Sequence, residues 1–273
     1  VSGWRLRLKQ VPALRADLRG VTPDALAALT LAEVERLPVG YGNATQALAE
    51  FFHVGAGGAD GELVLDGDLS RFDRVGWQMA SGLLRVEGAA GDYAGGGMRG
   101  GQLWVTGDAG ALAACEMAGG TLTIGGNAGD FAASTLPGSL DGMRGGTLVI
   151  KGHAGERLAD RMRRGTVLVF GNAGAFMASR LVAGTLALGG SAGPHAGFGM
   201  RRGSVVFAAG EGALTAVPPT FVPAGADAPV FWQLVARDLA RHGGPFEALP
   251  RRRIDRHLGD LAWGGKGELI TVN

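Results

Sequence analysis

Through the middle of the chain, apolar residues recur two apart in short runs. The pairs are Leu63/Leu65, Leu84/Val86, Leu103/Val105, Leu122/Ile124, Leu148/Ile150, Val167/Val169, Leu186/Leu188 and Val205/Phe207. A period of two is the pattern of a short strand with one buried face. The runs themselves repeat. Segments starting at Gly82, Gly101, Gly120, Gly146, Gly165, Gly184 and Gly203 align at intervals of 19 residues, with 26 between Gly120 and Gly146. The long interval holds a seven-residue insertion around Ser134–Gly138, and a looser copy begins at Gly61. A glycine closes each run, as at Gly88, Gly107 and Gly126, and an Ala-Gly step follows. Each repeat ends on a second apolar anchor: Met79, Met98, Met117, Met143, Met162, Leu181 and Met200. Six of the chain's seven methionines hold this one slot, which predicts a core column.

A 19-residue unit cannot bury its own strand, but stacked units bury a continuous core. The expected fold is therefore all-β. It is a parallel β-helix, or β-solenoid, right-handed, of about eight coils of about 19 residues, with small helical or irregular flanks. Residues 1–60 are expected to form an N-terminal cap segment, 61–212 the repeat domain, and 213–273 a C-terminal extension with a helix and a final strand. Thr22-Pro23-Asp24 has the form of a helix start, and Thr30 to Glu33 that of a capping box. Residues 230–242 predict an amphipathic helix with Phe231, Leu234, Val235 and Leu239 on one face.

Composition sharpens this picture. Glycine accounts for 50 of 273 residues, against roughly 7% ordinarily. A disordered glycine-rich chain would be poor in apolar residues, yet these make up 46% here. With 26 basic and 25 acidic residues, net charge gives no reason to expect nucleic-acid or membrane binding. Cys115 is the only cysteine, which excludes an internal disulfide and a cysteine-based zinc site. The stretch Val1 to Arg5 leads into no apolar run, so the expected location is the cytoplasm.

Candidate chemistry is sparse. Gly95 to Gly100 matches G-x-G-x-x-G, but its glycines belong to the repeat and no helix follows, as a dinucleotide site requires. The five histidines form no metal-ligand spacing. Cys115 shares its slot with Gly96, Ser134 and Ser179, which predicts a small core or corner residue. Asp92, Asp130 and Glu156 recur at one slot and fit a turn. Thr121, Thr147, Thr166, Thr185 and Ser204 fit a structural hydroxyl ladder. The slot after the methionine reads Arg99, Ala118, Arg144, Arg163, Val182, Arg201, with Arg164 and Arg202 following two of these. Stacked like charges are unfavourable unless solvated or paired. Either this corner is simply solvated, or Arg144, Arg163, Arg164, Arg201 and Arg202 form a positive ridge facing an acidic partner or a polyanionic ligand. Arg251, Arg252, Arg253 and Arg256 make a second basic cluster.

The repeat resembles the C-terminal β-helix of the glutamate synthase large subunit. It resembles more closely the C subunits of formylmethanofuran dehydrogenases and of bacterial formyltransferase/hydrolase complexes. Val21-Thr22-Pro23-Asp24, Leu31 to Val39, Gly42-Asn43, Gly67 to Gly76, the insertion before Gly142-Met143-Arg144 and the tail Gly259 to Gly267 carry the closer resemblance. Only three basic residues are lysines (Lys9, Lys151, Lys266), a bias that favours the bacterial complex. The resemblance implies a cytoplasmic hetero-oligomer with hydrolase and formyltransferase subunits. Such a complex moves a formyl group from formyl-tetrahydromethanopterin to a methanofuran-type cofactor and releases formate. It assigns this chain no catalytic or metal-binding residue and no cofactor of its own. Because methanofurans carry glutamate-rich tails, the five arginines become candidate contacts for an anionic arm. The alternatives are the C subunit of a tungsten or molybdenum formylmethanofuran dehydrogenase, a stand-alone carbohydrate-active β-helix enzyme, and a separately expressed glutamate-synthase-type domain.

Overall fold

A computed structural model describes residues 3–214, 216–224 and 230–273. Val1 and Ser2, part of the N-terminal stretch read above, and Thr215 and 225–229, part of the expected C-terminal extension, lie outside the described residues. Most strands join one 13-stranded sheet. Its central strands are all parallel. They run in spatial order Trp4–Leu8, Glu62–Asp66, Leu83–Glu87, Gln102–Val105, Thr121–Ile124, Arg144–Ile150, Arg164–Val169, Thr185–Leu188, Ser204–Phe207 and Gly267–Val272. Antiparallel strands finish both ends: Phe52–Ala56 beside the first, Ile254–Gly259 and then Val222–Pro223 beside the last. A four-stranded sheet of Ala44–Ala47, Pro38–Tyr41, Ala16–Asp17 and Phe72–Asp73 stands apart.

This corrects the fold expectation. The chain is not the all-β, right-handed β-helix read from the repeat; it is mostly β, with one long and mostly parallel sheet and with helical flanks. The cause is local. Only the Leu-x-Val segment of each repeat builds a ladder. The Ala-Gly step contributes single-residue bridges, Leu69 to Ala90 to Ala109 and on to Ala192. The remaining segment alternates into the left-handed region: Leu112, Ala114 and Glu116 have φ of 61°, 55° and 52°, and Phe176, Ala178 and Arg180 have 59°, 56° and 53°. A backbone that flips at every second residue cannot present the extended edge a strand needs.

Register in the long sheet keeps like residues in line. Leu84, Leu103, Leu122, Leu148, Val167, Leu186 and Val205 are successive partners and all are buried. The methionine column and Leu181 are fully buried behind them. Glycine is required where repeats stack closest. A Cβ on Gly120, at φ +82°, would lie 2.7 Å from the Gly101 carbonyl oxygen.

The sheet's outer face forms a second core. Val149, Leu168, Ala187, Val206 and Ile270 pack against Trp232, Ala236 and Leu239 of the helix Val230–Ala240. The predicted apolar face of that helix is thus rotated: Trp232 is buried and Leu234 is exposed. At the N-terminal end, Glu33 accepts a hydrogen bond from the Thr30 amide (2.8 Å), as the capping box predicts, and a further one from the Thr30 hydroxyl (2.7 Å). Those two bonds hold its carboxyl below the usual range.

Candidate anion-binding face

Each methionine drawn into the core turns the next two residues outward at the corner where the following strand begins. The amides of Arg163 and Arg201 donate to the carbonyls of Met143 and Leu181 one repeat back, both at 2.8 Å, which fixes this corner. Arg144 and Arg164 are strand partners. Together Arg144, Arg163, Arg164, Arg201 and Arg202 line one basin of about 620 Å³, with Val182 and Ala183 between the two arginine pairs. The pairs stand two repeats apart, about 10 Å at the strand spacing. The site is therefore a slot with an apolar floor and guanidinium walls. Arg99, separated from Arg144 by Ala118, does not line it.

Two of the five charges are countered. Arg144 lies 3.5 Å from Glu116, and Arg163 lies 3.0 Å from Asp141 of the insertion. Arg164, Arg201 and Arg202 form no ion pair among the described residues. Five guanidinium groups with two carboxylates leave an excess of positive charge over one slot.

An adjoining cavity of about 460 Å³ shares Arg163, Val182 and Arg201 and adds Arg161, Arg180, Leu140 and Trp263. The sequence reading missed these additions. The available signal was the slot just before the methionine, which reads Gln78, Gly97, Glu116, Gly142, Arg161, Arg180, Gly199. Trp263 comes from the tail. The Asp260 carboxylate fixes that tail by accepting the Gly199 amide at 3.0 Å.

The other candidates have structural roles. Asp92 and Asp130 accept the amides of Ala111 (2.9 Å) and Glu156 (2.8 Å) in the next repeat. A parallel ladder runs from Asp108 through Asn127, His153 and Asn172 to Ser191. Its His153 Nδ1 accepts the Asn172 amide, so that ring is engaged through its unprotonated nitrogen. Cys115 is fully buried, and burial pushes its thiol up to about 12, away from the nucleophilic thiolate. Arg252 donates to the Asn273 carbonyl and Arg256 to Glu268, so these two members of the second basic cluster serve the sheet's end. Among the described residues no group of three or more His, Cys, Asp or Glu could hold a metal ion, and no helix is long and apolar enough to cross a membrane.

Over nearly its full length the chain is similar to a chain of the crystal structure of the formyltransferase/hydrolase complex (FhcABCD) from Methylorubrum extorquens in complex with methylofuran. The TM-score is 0.90 and the identity 42%, covering 97% of this chain and 98% of that one. In sequence it is 44% identical over 86 residues to the C subunit of the Fhc complex of Methylorubrum extorquens, 32% of each chain. It is 39% identical over 82 residues to the C subunit of a molybdenum-containing formylmethanofuran dehydrogenase of Methanosarcina barkeri, 29% of this chain and 27% of that one. With a tungsten-containing counterpart of Methanothermobacter marburgensis it shares 29% identity over 93 residues, 33% of this chain and 34% of that one. The sequence matches thus span about a third of these curated relatives. No family model matches the chain.

Proposed function

We propose, since this chain belongs to the family of C subunits of formyltransferase/hydrolase complexes and formylmethanofuran dehydrogenases, that it is the non-catalytic scaffold of a formyltransferase/hydrolase complex. In that role it holds the hydrolase and formyltransferase subunits in fixed relation. The complex moves a formyl group from formyl-tetrahydromethanopterin to a methanofuran-type cofactor and releases formate. The observation that carries the reading is the end-to-end similarity at a TM-score of 0.90. A sheet in which each repeat is pinned to its neighbours by strand, alanine-bridge and side-chain ladders is rigid enough for such a role.

The arginine basin fits the carboxylate-rich arm of such a cofactor. Arg164, Arg201 and Arg202, unpaired among the described residues, can donate to carboxylates, and the Val182–Ala183 floor admits the methylene stems between them. An exposed ion pair contributes about 0.2–1 kcal/mol. Replacing Arg163 and Arg201 with glutamine is then expected to raise the apparent KM for the cofactor about two- to thirtyfold while assembly is kept. Unchanged transfer kinetics would remove the arginines from this role.

The similarity to formylmethanofuran dehydrogenase C subunits supports a second reading, in which the same scaffold serves a tungsten or molybdenum enzyme. Co-expression with a tagged chain separates them. Recovery of hydrolase and formyltransferase subunits supports the first reading, and recovery with a metal-containing dehydrogenase supports the second. Formate release by the isolated chain would refute both.

A further inference from the structure

We infer that the left-handed column running from Tyr93 to His195 is the ridge on which this chain docks another protein of its complex. The inference rests on the scaffold reading and goes further by naming the face. Tyr93, Leu112, Phe131, Arg157, Phe176 and His195 occupy one position in six successive repeats, with φ between 56° and 64°. An L-residue pays about 1–2 kcal/mol for that conformation, and glycine is free of the steric part of it. Two of these repeats use glycine at the neighbouring left-handed positions, Gly95 and Gly97 and Gly197 and Gly199; the other four carry alanine at the first of them, Ala114, Ala133, Ala159 and Ala178, and three carry Glu116, Arg161 or Arg180 at the second. At the ridge position glycine never appears in these repeats. A large side chain is kept there against its backbone cost, and strain of this kind gathers where side chains have a task.

The side chains have the composition of an interface core. Aromatic residues and arginine dominate, and lysine is missing. Phe131 and Phe198 are 39% and 45% exposed, and Trp263 is 57% exposed. They are held in place by one another. Arg157 lies over Phe131 and Phe176, Phe176 stacks on His195 with centroids 4.6 Å apart, and Phe198 meets the edges of Phe176 and Trp263. Pre-ordered rings lose little entropy on docking. The column is about 24 Å long at the strand spacing, which matches the width of a patch of about 800 Å² on one partner.

Charge identifies the partner's chemistry. Arg74, at the column's start, is paired with Asp17, and Arg180 with Asp160. Arg157 and Arg161 have no carboxylate partner among the described residues. The partner is therefore a folded protein face with apolar side chains bordered by carboxylates placed opposite Arg157 and Arg161.

The test uses the co-expressed complex and a tagged full-length chain. Phe131→Gly with Phe176→Gly removes two rings while keeping a backbone that glycine adopts freely. Arg161→Glu reverses a charge without touching the core. Trp104→Ala, on the outer face of the sheet, is the control. The expected result is at least a tenfold loss of co-purifying subunits for the glycine pair and for Arg161→Glu, and none for Trp104→Ala. A photo-crosslinking residue at position 131 is expected to capture another protein of the complex. Normal recovery with both variants, or a crosslink only to a second copy of this chain or to nucleic acid, overturns the ridge and leaves the scaffold reading standing. Failure of the unaltered chain to recover any partner overturns both.

Discussion

Asp160 is the one acid in a column otherwise given to small or apolar side chains. Cys115, Ser134 and Ser179 hold equivalent places and are buried. The Asp160 side chain is only 4% exposed. Its carboxylate accepts from the Ser179 hydroxyl at 2.6 Å, from Arg180 Nε at 2.9 Å and from Arg180 Nη2. Arg180→Ala leaves that buried charge with one neutral donor. Removing one partner of a fully buried pair costs about 3–5 kcal/mol. The Arg180 side chain is 38% exposed, so water reaches the vacated side, and about 2–3 kcal/mol remains. For a chain of this size that lowers the unfolding midpoint by about 4–10 °C. Asp160→Ala should cost less, about 1–2 kcal/mol, because the slot already accepts small residues and Arg180 is released to water. The double variant Asp160→Ala/Arg180→Ala should then be more stable than Arg180→Ala alone, since the orphaned charge is gone. Urea unfolding of the four proteins at one pH measures the cycle. An Arg180→Ala loss below about 0.5 kcal/mol, or a double variant whose loss equals the sum of the singles, would refute the reasoning.

Three further outcomes are expected. Met143→Ala should cost about 2–5 kcal/mol in thermal or urea unfolding, whereas Met143→Leu should cost under about 1.5 kcal/mol, because Leu181 already fills this column fully buried. Asn127→Ala should cost about 1 kcal/mol and speed exchange of the His153 amide, which Asn127 accepts at 2.8 Å; Asn127→Asp should keep that protection, as Asp108 does for Asn127. His242 is held below its ordinary 6.5, mainly by burial, with Asp238 opposing the shift and Lys151 adding to it. The unfolded chain therefore takes up the proton first. Stability is complete above about pH 6.5 and falls as pH drops through the lower folded value. His242→Gln should flatten the melting temperature between about pH 7 and 5, and an unchanged slope would assign the dependence to other groups.

What the sequence made legible is what a period of two controls. In a strand, each residue's face is fixed by its number, so Leu122, Ile124 and their counterparts were readable as core. The methionine slot was readable because its chemistry repeats without interruption. The fold class was misread because alternation was visible only in one third of the repeat, and nothing in Leu112-Ala113-Ala114-Cys115-Glu116 announces three left-handed residues. The face of the 230–240 helix was misread for a different reason. That helix has apolar residues on two sides, and docking was decided by the column Val149, Leu168, Ala187 and Val206, far away in sequence. The arginine basin was legible because its members fall in two adjacent slots of the repeat. Trp263 was not, because it reaches the neighbouring cavity from the tail through Asp260.

The repeat also separates what stacking demands from what it leaves open. At the corner after the methionine, Arg163-Arg164 gives way to Val182-Ala183 and returns as Arg201-Arg202. Across that exchange the register Thr166 to Thr185 to Ser204 does not shift. The amides of Arg163, Val182 and Arg201 make the same bond to the repeat behind, at 2.8, 2.9 and 2.8 Å. The fold is therefore indifferent to charge at this corner. Three arginines without ion pairs among the described residues raise the electrostatic cost of the folded state and add nothing to its stacking. On the proposed reading an anionic ligand supplies their counter-charge, and the same logic applies to the inferred ridge, where the backbone would accept glycine at less strain. The strands and methionines set the shape, and the positions that shape does not constrain are where binding is to be sought.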